Sequence, residues 1–205
     1  MPRLEEDNRS GMHNTIIYLI GHYGVGKLTI GKAIAAATGA RLFDNHLANN
    51  VIFSLIREDG KTKIPERAWD LIMTIRRQAL TAMAEIASPE ASFVLTNALM
   101  EGDPMDREAY DEVMATAARR GSTFVPVFLS ASDAAHAERI PSAEREARLK
   151  MTDAAGAELV RQSRALLAVD HANRLDLDTT DLPADEAALR VIAHAERRAL
   201  NMLSI

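Results

Sequence analysis

Gly21, Gly26 and Lys27 stand at the spacing G-x-x-x-x-G-K, with Gly24 as a further glycine, in the stretch YLIGHYGVGKLTIGK. A phosphate chain carries several negative charges, and a loop that wraps one must turn its backbone N–H groups inward. Glycine allows the conformations this requires, which side chains resist. Lys27 adds a compact cation for the outer phosphates, and a helix beginning there aims its positive end at the same anion. The cradle is assigned to Gly21, Gly24, Val25, Gly26, Lys27, Leu28 and Thr29. A glycine-rich turn with a surface lysine has a similar string, but here an apolar run precedes it and a helical run follows, which is the context the chemistry needs.

Leu28 breaks the pattern. The residue after the lysine ordinarily carries a hydroxyl that ligates Mg²⁺, and leucine cannot. Either the metal is held largely through water and other oxygens, or the site no longer supports fast transfer.

The elements that must position this loop follow from periodicity. Short β-branched or aromatic runs over 15–20, 40–43, 92–96, 122–129 and 173–178 alternate with longer stretches of helical period. That alternation predicts βαβ units and a parallel sheet. Trp69, Ile72, Met73, Leu80 and Met83 form the apolar face of a long helix after Pro65. Tyr110, Val113, Met114 and Ala117 do the same behind an Asp103–Pro104 start, with Gly121 at the stop. Leu159, Val160, Ser163, Leu166 and Leu167 mark another helix, and Val191, Ile192, Ala195 and Ala199 a last one. The predicted order is β, α, β, α, α, β, α, β, α, α, β, α.

A chain of 205 residues with 47% hydrophobic and 26% charged residues suits a single soluble domain. We expect a mobile tail over 1–14 and one domain over 15–205. The net charge of −5 gives the surface no general attraction for nucleic acid or anionic lipid. The lack of cysteine removes thiol nucleophiles and cysteine-based zinc sites and fits a reducing compartment, so the cytoplasm is the expected location. The longest apolar run, 16–20, is far too short to span a membrane.

With its Gly26-Lys27-Leu28-Thr29 form of the Walker A loop, the chain resembles the small P-loop kinases: nucleoside monophosphate kinases, shikimate and gluconate kinases and chloramphenicol phosphotransferase. Adenylate kinases likewise place a non-hydroxyl residue before a threonine. RLFDNHLANN, 41–50, is similar to a block in a poorly characterised branch of these kinases. The resemblance implies a three-layer α/β/α sandwich with a five-stranded parallel sheet in the order 2-3-1-4-5. It implies acceptor-site helices over about 45–88 and a lid over about 136–152.

By that resemblance Asp44, just after the second strand, faces the acceptor hydroxyl as orienting group and base, although an aspartate there also suits a helix cap. His46 and Arg76 fall on the acceptor wall, where an arginine suits a carboxylate or phosphate. Arg77 reads as an exposed helix position. Arg139 and Arg145 fall in the lid, although interleaved glutamates are also compatible with a solvated helix. The third strand ends on Thr96 and Asn97 without an Asp-Glu pair, which argues against motor ATPases. Asp176 and Asp178 read as solvent-facing or capping groups.

The resemblance thus implies ATP-dependent phosphoryl transfer to a small polar acceptor, with ATP and Mg²⁺ as cofactors. No membrane partner is expected, and the acidic balance argues against nucleic acid; a homo-oligomer is compatible with the sequence. The alternative is a non-catalytic sensor of ATP or ADP, which Leu28 keeps open.

Overall fold

The computed structural model describes residues 12–56, 64–140 and 154–202. β1 (Thr15–Gly21) is buried at every position, and its alternate residues serve two different layers. Ile17 and Leu19 pack with Ile30, Ile34, Val191 and Ala195. Ile16, Tyr18 and Ile20 pack with Met73, Leu80, Tyr110 and Val113. Successive strand residues point to opposite faces, so a strand apolar throughout must be covered on both.

The covers are α1 (Lys27–Thr38) and α7 (Ala184–Met202) on one face, and α3 (Glu66–Glu85) and α4 (Pro104–Arg120) on the other. β2 (Arg41–Asp44), β3 (Phe93–Asn97), β4 (Thr123–Ser130) and β5 (Leu175–Asp178) complete a five-stranded sheet in the order β2-β3-β1-β4-β5, parallel at every pairing. α2 (His46–Ile56) packs on α3, and α5 (Asp133–Arg139) on α6 (Ala154–Ser163). Element order and strand order are as expected.

Local chemistry sets the ends of α4. The Asp103 carboxylate accepts from Met105 N, Pro104 fills the first turn, and Gly121 closes the helix at φ +63°.

Two expectations need correction. The apolar period suggested a helix running through Leu166 and Leu167, but α6 ends at Ser163. Leu166 makes an antiparallel bridge to Met100 and Leu167 N donates to Leu99 O at 2.9 Å, so the pair is extended chain, with Leu167 buried and Leu166 half-buried. A helical spacing also fits two neighbouring apolar residues that enter the core from a strand-like segment. Residues 12–14, expected to lie in a tail, are attached to the sheet. Met12 is buried, Met12 O accepts from Ser92 Oγ at 2.7 Å, and Asn14 O accepts from Thr123 N at 2.9 Å.

Candidate active site

β1 ends at Gly21 and α1 begins at Lys27, so the glycine-rich segment is the turn between them. Gly24 and Gly26 have φ of +86° and +91°, left-handed values that side chains rarely adopt. Lys27 Nζ reaches back along the turn and donates to Gly21 O at 2.6 Å and to His22 O at 2.8 Å. Val25 is buried, Leu28 half-buried and Thr29 exposed, so the only hydroxyl in the first turn of α1 is at Thr29. Among the described residues no three His, Cys, Asp or Glu side chains group together. The Thr29 hydroxyl is a hard oxygen donor of the kind Mg²⁺ takes beside phosphate oxygens and water.

His22 is unlike the rest of the loop. Burial first, then Lys27, His136 and Arg161, push its pKa down to about 4, and its Nδ1 is buried without a hydrogen-bond partner. The ring is uncharged at neutral pH.

The outside of the loop is tied to two other elements. His136, buried on α5, meets Tyr23 O through Nδ1 at 2.6 Å. A carbonyl only accepts, so Nδ1 carries the hydrogen. Thr179, which follows β5, donates from Oγ1 to Val25 O at 3.0 Å. Arg139 donates to Thr179 O at 2.9 Å and Thr180 O at 2.8 Å. The sequence placed Arg139 in a lid above the phosphates; the fold puts its guanidinium on carbonyls of the turn after β5. Arg145 lies outside the described residues, as does most of the segment assigned to the lid. Arg161 of α6 pairs with Asp133 at 2.6 Å and is near enough to His22 and His136 to lower both pKa values.

The second half of the site lies at the same edge of the sheet. Strand register sets Asp44 beside Thr96 and Asn97 beside Ile20, so β2, β3 and β1 all end here. In open α/β sheets ligands bind outside the carboxyl ends of strands, where the strand order reverses. Asp44 is buried, and its Oδ1 accepts from Thr96 Oγ1. Arg76 donates to Asn97 Oδ1 at 3.2 Å, and Asn97 Nδ2 donates to the Tyr18 hydroxyl at 3.1 Å. Tyr18, Arg76, Thr96 and Asn97, with Asn45, Met73 and Glu112, line a cavity of about 20 Å³, space for a single water-sized group.

Enclosure lowers the Arg76 pKa, with Asp106, Glu112 and Asp44 acting against it at longer range. Among the described residues, no carboxylate forms an ion pair with Arg76. Arg77 is the opposite case: it is exposed and bridges Glu108 at 2.8 Å and Glu112 at 2.5 Å, as its helix position suggested. His46 Nδ1 lies 3.3 Å from Asn50 Oδ1, one turn along α2. Asp176 pairs with Arg174, and Asp178 accepts from Thr180 N, which fits the capping and solvent-facing reading.

Sequence reasoning missed Tyr18, His136, Arg161 and Thr179. Tyr18 left a signal, because a phenol in a strand covered on both faces must find a partner for its hydroxyl. Burial pushes its pKa up to about 12. The other three left none, since each depends on which elements meet.

No protein-family model matches the sequence, and no curated protein does either. Solved structures do match along most of their length. A gluconokinase from Sinorhizobium meliloti 1021 has a TM-score of 0.61 at 19% identity, covering 93% of this chain and 96% of that one. A sugar kinase from Janibacter sp. has 0.53 at 13%, covering 89% and 95%. The Mycobacterium tuberculosis APS kinase, solved with AMPPNP and APS, has 0.50 at 18%, covering 90% and 98%. The chain has the fold of the small P-loop kinases.

Proposed function

We propose that the chain is an ATP-dependent kinase that passes a phosphoryl group to a small polar acceptor bearing an anionic group. The observation that carries this is Arg76: a half-buried guanidinium at the strand ends, hydrogen-bonded to Asn97 and unmatched by any ion-pairing carboxylate among the described residues. Enclosing a cation without a counter-ion is costly, and an anionic substrate group supplies the missing charge. The phosphate loop and the shared kinase fold support the nucleotide end.

The roles divide along the site. Amides of the loop and Lys27 bind the phosphates; Thr29 would help hold Mg²⁺ through water, and the ion would supply charge neutralisation there. The Asp44 carboxylate, fixed by the Thr96 hydroxyl, orients the acceptor hydroxyl and takes its proton late in transfer. Arg76 anchors the acceptor's anionic end, with His46 on the same wall. Lys27 meets charge developing on the transferring group, and Arg145 belongs to the same role.

The test is ADP release from Mg-ATP with a panel of sugar acids, cyclic hydroxy acids, nucleoside monophosphates and neutral sugars. Turnover is expected with anionic acceptors, and Asp44→Asn should slow it by about a hundredfold or more while ATP still binds. ATP binding without ADP release on any acceptor would replace this reading with a nucleotide sensor.

A further inference from the structure

The phosphate loop is held from outside at two points, and both holds are on carbonyls. Tyr23 O receives the His136 Nδ1–H at 2.6 Å, and Val25 O receives the Thr179 hydroxyl at 3.0 Å. Each carbonyl shares a planar trans peptide with the N–H of the next residue, and in such a peptide the two point in opposite directions. Drawing Tyr23 O toward α5 therefore turns Gly24 N–H the other way, and drawing Val25 O toward the end of β5 does the same for Gly26 N–H. Gly24 and Gly26 are the two loop residues in the left-handed conformation, the arrangement that makes successive amides converge on an anion.

We infer that His136 and Thr179 are positioning residues that preorganise the phosphate cradle by holding the outer carbonyls of the loop, so that the amides of Gly24 and Gly26 face inward before any anion arrives. The inference rests on the reading of this loop as a polyphosphate site.

The supports are themselves supported. Ser130 O accepts the Thr179 backbone N–H at 2.9 Å and also stands 2.9 Å from the Thr179 hydroxyl, so that hydroxyl bridges Ser130 O and Val25 O and ties the loop to the end of β4. Arg139 donates to Thr179 O at 2.9 Å and lies 3.4 Å from Thr179 Oγ1. On the other side the fit is close: a Cβ on Gly24 would stand 3.2 Å from His136 Nδ1 and 3.1 Å from Ile140 Cγ1, so α5 rests against the loop. Without these bonds, peptides flanked by glycine would rotate freely, and anion binding would have to order them.

The experiment is titration calorimetry of the full chain with tripolyphosphate and with ATP, together with the ¹⁵N–¹H signals of Gly24 and Gly26. Thr179→Val and His136→Phe remove one donor each. Each should weaken tripolyphosphate binding by about three- to tenfold, the worth of one net hydrogen bond, and should shift the Gly24 or Gly26 amide signal in the free protein. Thr179→Ser keeps the hydroxyl and His136→Asn keeps an N–H at the Nδ1 position, so both should restore binding and signal. Unfolding midpoints are followed in parallel, and the alanine variants, which add no bulk, replace any that does not fold. Undiminished affinity with unmoved amide signals in the donor-less variants overturns the inference alone. A wild-type chain that binds neither tripolyphosphate nor ATP overturns it together with the functional reading.

Discussion

Arg139 and Arg76 stand on either side of the phosphate loop, and the kinds of partner they have are opposite. Arg139 spends its donors on the carbonyls of Thr179 and Thr180 and so stiffens the side where β4 and β5 end. Arg76, where β1 and β3 end, has a neutral amide oxygen at 3.2 Å. An arginine whose donors end on main-chain oxygens is part of a scaffold. A half-buried arginine without an ion-pairing carboxylate raises the energy of the protein, a cost that an anionic group would recover on the proposed function. On the proposed function the two halves of the site divide between a preset cradle and a receptive pocket.

The strongest way to break this contrast is at the loop itself. Lys27→Met removes the cation that now bonds Gly21 O and His22 O, and ATP affinity should fall by about a hundredfold or more. Calorimetry that returns wild-type affinity would remove the cradle from the site.

Arg76→Met comes next and should separate function from stability. The apparent KM for an anionic acceptor should rise by about ten- to a hundredfold, the worth of charge-assisted bonds. The unfolding midpoint should stay level or rise, because an enclosed charge without an ion-pair partner has gone. A sharp loss of stability would make Arg76 scaffold instead.

Arg139→Met should do the reverse. Losing charged hydrogen bonds worth roughly 1.5–3 kcal/mol, at about 2–4 °C per kcal/mol for a chain of this size, lowers the midpoint by about 3–12 °C. ATP affinity should weaken only about threefold. A thousandfold loss of kcat at an unchanged midpoint would return Arg139 to direct contact with the transferring group.

The smallest effect concerns His22. Its folded-state pKa of about 4 lies below the ordinary 6.5, so the folded chain takes up the proton less readily than the unfolded one. Stability from this group is complete above about 6.5 and declines as pH falls toward about 4. Midpoints measured across that window should fall less steeply in His22→Gln than in the wild type. The ring is partly solvated, so solvent screening keeps the difference small. Identical slopes would show that His22 does not sense the cations around it.

What the chain makes legible is local. The strand period of β1, the glycines at 24 and 26, the cap at Asp103 and the stop at Gly121 each follow from the conformations those residues prefer, which a short window of sequence contains. The family resemblance named Asp44 and Arg76, and the fold puts Asp44 at the end of β2 and Arg76 on Asn97 at the end of β3. Arg139 was expected in a lid and has its donors on Thr179 O and Thr180 O, and the Leu166–Leu167 pair kept its apolar character while losing its helix.

Sequence alone determined that a glycine-rich turn ending in Lys27 sits between a doubly covered strand and a helix, since that pattern is written in adjacent residues. The tertiary structure decided which side chains hold that turn and left Arg76 on a neutral amide oxygen. Tyr23 meets His136 and Val25 meets Thr179 only because α5 and the end of β5 arrive beside the loop. A hydrogen bond depends on a fraction of an ångström between groups more than a hundred residues apart, and no local pattern encodes that distance.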